Sequence, residues 1–359
     1  MSPIWAGVDR LVDAAPGLAE LRLHRIELLA ARRWRELGRP VPAELLEQEH
    51  WAGVVALATP LLLERARAAC EGPLVLVKGA EVAARYPEPT LRPTRDIDLL
   101  VPDAEGVQRA LLEAGFEPVG EEELYVDIHH LRPLSYPGLP LYLEIHSELK
   151  WPEGLDGPRT DELLADTAPA SVGVDGILSL PPAHHSLVLA AHAWAHAPLA
   201  ILSQLIDAAA MAEGVDRGEL ERLARRWGLR KVWRSTSAAC DALLGEHDHE
   251  PWPLRVWARH LRDARQQTIL EAHLARLLSP FAGLPGRPAL RMASAAFLNE
   301  LRRTPGEPWS TKLRRTSRAL RNASVPQAEH DRELEREQLS APTYLEQLRA
   351  HDSGKQVPP

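Results

Sequence analysis

The chain has 359 residues, 45% of them hydrophobic and 26% charged, with a formal net charge of −8. This composition excludes a largely disordered or fibrous protein, and the length predicts two or three units at the usual ~100 to 200 residues per domain. The acidic balance argues against an extended nucleic-acid surface, and the two cysteines, Cys70 and Cys240, are too few for a disulfide framework or a thiolate zinc site.

Residues 1–70 carry apolar positions at helical spacing, Leu21, Ile26, Leu28 and Leu29 and then Val54, Leu57, Leu61 and Leu62, with a break at "GRPVPAE". "LVLV" at 74–77 is a short strand pattern. "KGAEVAARY" reads as a turn entering a short helix, and "PEPTLRP" as a proline-rich loop. The next strand is expected within "LRPTRDIDLLVPD", and "AEGVQRALLEA" is an amphipathic helix closed by Gly115. "LYVDIHHLRPLSY" and "LPLYLEIHSEL" predict two further strands around the turn at Pro137-Gly138. From about residue 184 helical periodicity dominates, with Pro198 dividing helices near 184–196 and 199–213. The stretch from Ser186 to Ile206 is apolar enough to suggest a membrane span, but His192, His196, Pro198 and Gln204 interrupt it, so a buried helix is expected. Residues 302–321 are locally basic, and 329–348 mix both charges at helical spacing. The pattern divides into an N-terminal helical region at 1–70, an α/β core at 71–175, a helical domain at 176–300 and a charged helical extension at 301–359. The opening residues show no secretory pattern, so a cytoplasmic protein is expected.

Successive strand side chains point to opposite faces, so Asp96 and Asp98 share one face while Ile97 and Leu99 take the other. Two carboxylates held together in a cleft raise each other's pKa unless a cation lies between them. Mg²⁺ or Mn²⁺, shared between carboxylates and substrate phosphates, meets that need. The alternative is a strand end in which one aspartate caps a turn and the other faces Arg92 or Arg95. In "LYLEIHSEL", Glu144 and His146 share a face opposite Leu143 and Ile145, offering a third carboxylate for a two-metal centre. Lys78-Gly79, between a strand and a helix start, suits a triphosphate turn.

The stretch "LVKGAEVAARYPEPTLRPTRDIDLLV" resembles the signature of an uncharacterised bacterial nucleotidyltransferase family within the DNA polymerase β-like superfamily. "LYLEIHSEL" is similar to the family's later E-L-H segment, and "HHSLVLAAHAWAH" and "LIDAAAM" to its helical half. The resemblance covers roughly residues 20–270. It implies an α+β protein with a small mixed sheet flanked by helices, and transfer of a nucleotidyl group from a nucleoside triphosphate with release of pyrophosphate. On matched positions it implies Asp96 and Asp98 as metal ligands, Glu144 as third carboxylate and Lys78 and Gly79 as the triphosphate turn. Two departures from the superfamily bear on triphosphate binding. Ala80 follows Gly79 where a serine is usual, and the spacing from Gly79 to Asp96 is long. Arg92 and Arg95 either contact phosphate or balance the acidic strand. His146 either contacts phosphate or is a hydrogen-bonded core residue.

His192 and His196 share a helix face at zinc-ligand spacing, but the glutamate of H-E-x-x-H is missing. They are core histidines, lining groups over the nucleotide, or part of a metal site completed by His184, His185 or Asp207. A nucleotidyltransferase acting on an unidentified small-molecule, peptide or protein acceptor leads the functional readings. A catalytically inactive nucleotide-binding protein and a metal-dependent phosphohydrolase are the alternatives. Neither a membrane nor a nucleic-acid partner is indicated.

Overall fold

The computed structural model describes residues 3–120, 130–245, 249–303 and 308–327. The central layer is a seven-stranded mixed sheet in the order β3-β4-β5-β2-β1-β7-β6. Its strands are β1 (Leu74–Leu76), β2 (Asp96–Leu100), β3 (Glu117–Pro118), β4 (Leu134–Ser135), β5 (Tyr142–His146), β6 (Ala168–Pro169) and β7 (Ile177–Ser179). β2 runs antiparallel to β1 and parallel to β5, and β7 pairs parallel with β1. The sheet therefore runs past residue 175, the end expected for the α/β core. Of the stretch expected to form a strand at 124–136, residues 124–129 lie outside the described residues; Leu134–Ser135 is the strand within the rest.

The alternating pattern of β2 divides the molecule into two cores. Ile97 and Leu99 join Leu74, Leu76, Leu143 and Ile145 on one face. That face packs on Leu62, Leu63 and Ala66 of α4 (Ala43–Ala69) and on Val107 and Leu111 of α6 (Ala104–Glu113). Leu100, Val75 and Val77 turn the other way, into a larger cluster with Leu187, Val188, Ala191 and Trp194 of α8 (Pro182–His196). Asp96, Asp98, Glu144 and His146 belong to this second face by strand alternation, so the helical half lies over the side that carries the carboxylates.

α8 has eleven buried residues among fifteen, since it packs against α9 (Leu202–Ala212), α10 (Arg217–Arg226) and α11 (Arg230–Leu244). A helix surrounded by protein is apolar all round, and this explains the membrane-like composition near Ser186. Among the described residues no helix is long and apolar enough to cross a membrane. The N-terminal helices share this helical core. α1 (Pro3–Ala14) lies so close to α11 that a Cβ on Gly7 would stand 2.2 Å from the Leu244 carbonyl oxygen.

Three loops meet where α2 (Leu18–Leu23) hands over to α3 (Glu27–Glu36), at the α8–α9 connection and after the short 3₁₀ turn Arg259–Leu261. Each carries a non-glycine residue in left-handed backbone, Arg25 (φ 56°), Leu199 (φ 54°) and Ala264 (φ 42°), a conformation that costs roughly 1–2 kcal/mol. Two buried histidines hold them. The His24 ring accepts from the Leu202 amide at 3.4 Å and donates Nε2–H to the Arg265 carbonyl at 2.9 Å. His260 Nε2 donates to the Ala200 carbonyl at 3.2 Å, and the two rings stack 6.0 Å apart. Burial lowers the pKa of both, that of His260 to about 4.

His185 is a third such group. Its Nε2–H donates to the Val77 carbonyl at 2.6 Å, and burial pushes it to about 4. A histidine held neutral in the fold but free to ionise when unfolded makes stability fall with pH. The loss begins near the unfolded value of about 6.5 and is complete below about 4. Urea unfolding at pH 7.5 and pH 5 is expected to show a loss on the order of 2 kcal/mol each for His185 and His260. Equal stability at the two pH values would refute neutral burial.

Candidate active site

The site is built on β2 and β5, whose parallel register sets Asp96 beside Tyr142, Asp98 beside Glu144 and Leu100 beside His146. Asp98 is buried at 3% exposure, so its charge requires partners. It has two. The Lys78 ammonium lies 3.1 Å from Oδ1, and His146 Nε2 lies 3.0 Å from the same oxygen. Burial alone would raise the Asp98 pKa, but Lys78 and then His146 outweigh it and hold the carboxyl well below the usual carboxylate range.

Glu144 Oε2 stands 3.7 Å from His146 Nε2 and 4.0 Å from His130 Nε2. Burial, followed by the charge of Asp98, raises the Glu144 pKa. Oxygen or nitrogen donors of Asp98, Glu144 and His146 all fall within 4.8 Å of one another. Two carboxylates and an imidazole are a donor set that could hold a divalent cation. Asp96 is the half-buried neighbour at the start of β2, outside that close cluster, with its pKa raised by burial and by Asp98.

Lys78 and Gly79 close the far end of β1. Gly79 has φ 58° and ψ −117°, and a Cβ there would lie 3.3 Å from the Asp96 carbonyl oxygen, so only glycine fits without strain. α5 (Ala80–Ala83) begins at once, anchored by buried Glu81, whose carboxylate accepts from the Ser171 amide at 2.7 Å and hydroxyl at 3.0 Å.

Arg92 hydrogen-bonds none of the strand carboxylates and pairs with Asp207 instead. Its Nε and Nη2 donate to both oxygens of Asp207 on α9, at 2.9 and 2.8 Å, and Nη1 donates to the Gly79 carbonyl and the Thr94 hydroxyl, each at 3.2 Å. The Tyr86 hydroxyl donates to Asp207 at 2.7 Å. Burial works against the guanidinium charge, and Asp207 outweighs it. Arg92 and Asp207 are thus a strut between the Gly79 turn and the helical half. Arg95, one residue before Asp96, is exposed, and its side chain makes no hydrogen bond or ion pair among the described residues.

The histidines separate. His184 lies 3.6 Å from Asp166, and His185 serves Val77. His192 and His196 stack edge to face, 4.5 Å between centroids, with His196 exposed at the end of α8. Neither these two nor Asp207 belongs to a metal-competent cluster among the described residues. Burial, then the positive charges of Lys150 and Lys78, lower the pKa of His196. His130 is the residue that sequence reasoning missed. It reaches Glu144 through an isolated bridge to His146, and the rings are 5.3 Å apart. The pair "HH" at 129–130 was its only trace.

The seven-stranded mixed sheet with its flanking helices, and carboxylates paired across β2 and β5 beside a lysine-glycine turn, are consistent with a nucleotidyltransferase core. The family model of an uncharacterised nucleotidyltransferase matches residues 12–245, from α1 to the end of α11, and the chain belongs to that family. No curated protein and no solved structure matched.

Removing one partner of a buried charged pair costs about 3–5 kcal/mol, whereas exposed unpaired side chains rarely matter by more than about 0.5 kcal/mol. Asp207→Asn is therefore expected to lower unfolding stability by about 3 kcal/mol or more, and Arg95→Ala to leave it nearly unchanged. Denaturant titration of both variants checks this, and equal effects would refute the strut.

Proposed function

We propose that the protein transfers a nucleoside monophosphate group from a nucleoside triphosphate to an acceptor, releasing pyrophosphate, with a divalent cation at Asp98, Glu144 and His146. The observation that supports this most is the register of Asp98 beside Glu144 on neighbouring parallel strands, next to Lys78. Such a cation neutralises charge on the reacting phosphoryl oxygens and orients them.

Each residue then has a task. Asp98 and Glu144 supply anionic oxygens from one face, and His146 fixes Asp98 through its Nε2 hydrogen bond, a nitrogen that would turn to a cation only on giving up that proton. Lys78 keeps Asp98 ionised and is the nearest cation for the triphosphate, while the Gly79 turn presents backbone to it. Asp96 adds a carboxylate at the opening of the cluster, where a second cation site or the acceptor side falls. Where Asp96 rather than Glu144 completes the cation site, Glu144 is the carboxylate left to accept an acceptor proton. Arg95, exposed beside Asp96, is available to phosphate. Arg92 acts indirectly, by holding the Gly79 carbonyl.

Asp98→Asn and Glu144→Gln are each expected to cut transfer by at least about 10³-fold, the scale of a lost charge-stabilising group. Their circular dichroism should stay close to the parent's, while Asp98→Asn, which leaves the Lys78 ammonium without its buried partner, is also expected to lower the unfolding midpoint. Transfer is read as label moving from each α-³²P nucleoside triphosphate, with Mg²⁺ or Mn²⁺, into a panel of acceptors. Undiminished transfer by either variant would refute the assignment.

A further inference from the structure

We infer that two copies of the chain pair through the outer face of α4, antiparallel and about a two-fold axis at Leu57. The inference is independent of the transferase reading and concerns a surface that reading does not use.

α4 is apolar on two sides. Val55, Ala58, Leu62, Leu63 and Ala66 pack into the core behind the sheet. A second row runs along the opposite side of the same helix, through Leu46, His50, Gly53, Leu57, Leu61 and Glu64, all within roughly 40° of Leu57 at 3.6 residues per turn. Its members recur every three or four residues, the spacing of a helix that pairs with another helix. Leu57 is 76% exposed, Leu61 51% and Leu46 48%. A helix apolar all round belongs inside protein, and a contiguous exposed apolar row marks an interaction site. Gly53 adds an independent sign. Glycine in mid-helix is less favourable than alanine, yet a Cβ at Gly53 would meet nothing within 4 Å. Packing within one chain gives no reason for a glycine there, and the close approach of a second helix does.

The row is complementary to itself. With the axis at Leu57, each residue meets the one equally far on the other side of 57 in the second copy. Leu61 then lies over the partner's Gly53, and Leu46 over the partner's Ala68, so large side chains meet small ones. His50 faces the partner's Glu64, an imidazole N–H against a carboxylate, and neither residue has a hydrogen bond or ion pair among the described residues of its own chain. Two-fold symmetry makes each of these contacts twice. A parallel pair would do the opposite, setting glutamate on glutamate at 64 and leaving a gap between glycines at 53. Other occupants fit less well. Glu44, Glu47, Glu49 and Glu64 outnumber Arg65 and Arg67 along α4, so an anionic lipid surface or a nucleic acid would be repelled.

The test uses the full chain in sedimentation velocity across micromolar concentrations, where a monomer–dimer equilibrium is expected. Leu57→Glu, which sets two carboxylates against each other on the axis, should weaken it at least ~30-fold. Gly53→Leu should weaken it at least ~10-fold by standing where the partner's Leu61 packs, yet should not lower the unfolding midpoint of the Leu57→Glu monomer, since the space around Gly53 is open. The orientation is read by cross-linking with a short bis-maleimide, the native Cys70 and Cys240 being buried. His50→Cys combined with Glu64→Cys should give cross-linked dimers. His50→Cys alone should not, because the two positions 50 would lie ~21 Å apart along the helices. A monomer at every concentration, or a dimer unmoved by both Leu57→Glu and Gly53→Leu, would overturn the interface. Cross-linking through His50→Cys alone would overturn the antiparallel pairing.

Discussion

The buried pair between Arg92 and Asp207 carries much of the architecture, because one guanidinium reaches three parts of the chain. It takes both oxygens of a carboxylate on α9, the carbonyl of Gly79 and the hydroxyl of Thr94. A planar fork of donors suits such a junction, and a lysine at this position would supply a single point charge. The cost of burying these charges is met by near-complete hydrogen bonding, with Tyr86 contributing to Asp207 from the side. Through this pair the left-handed turn that precedes α5, the entry to β2 and the helical half form one mechanical unit. The strained loops around His24 and His260 secure the same helical half to the N-terminal helices from another side.

A rigid frame matters because the acidic cluster is electrostatically unstable by itself. Asp96, Asp98 and Glu144 share one face of two paired strands, and burial and mutual repulsion raise the pKa of the first and last of them. Asp98 escapes only because Lys78 and His146 meet the same oxygen. The arrangement has one carboxylate committed to the charged form and two poised nearby, which suits a site that exchanges its counter-charges when phosphates and cations arrive. Structural ion pairs do not need this asymmetry. The strut at Asp207, where a single carboxylate faces a full set of donors, shows how the same chain satisfies a charge when stability alone is at stake.

Much of this was legible in the sequence, for local reasons. The period of two in "DIDLL" set Asp96 and Asp98 on one face, and a glycine after Lys78 marked a turn that no other residue can adopt without strain. The resemblance to nucleotidyltransferases rested on those same residues, and the family match agrees with it. Pairings between distant segments carry no such local signal. The register that puts Glu144 beside Asp98 joins strands with a helix and a hairpin between them, and His130 enters through a single bridge. β3, β4 and β6 are two residues long and β7 is three, too short for any period to show. Asp207 read as a possible metal ligand because helical spacing says which face a side chain takes and nothing about which cation it meets.

The division of labour between the two faces of the sheet explains why the active residues are so few. One face is given wholly to packing against α4 and α6, where Ile97, Leu99, Leu143 and Ile145 leave no polar atom. The other begins as core, with Val75, Val77 and Leu100, and becomes polar only toward the start of β2 and along β5. The helical half packs on the apolar part through α8, on the same side of the sheet as the carboxylates. The Arg92–Asp207 strut ties that helical half to the Gly79 turn, so one buried pair sets the spacing between the helices and the carboxylate-bearing strands.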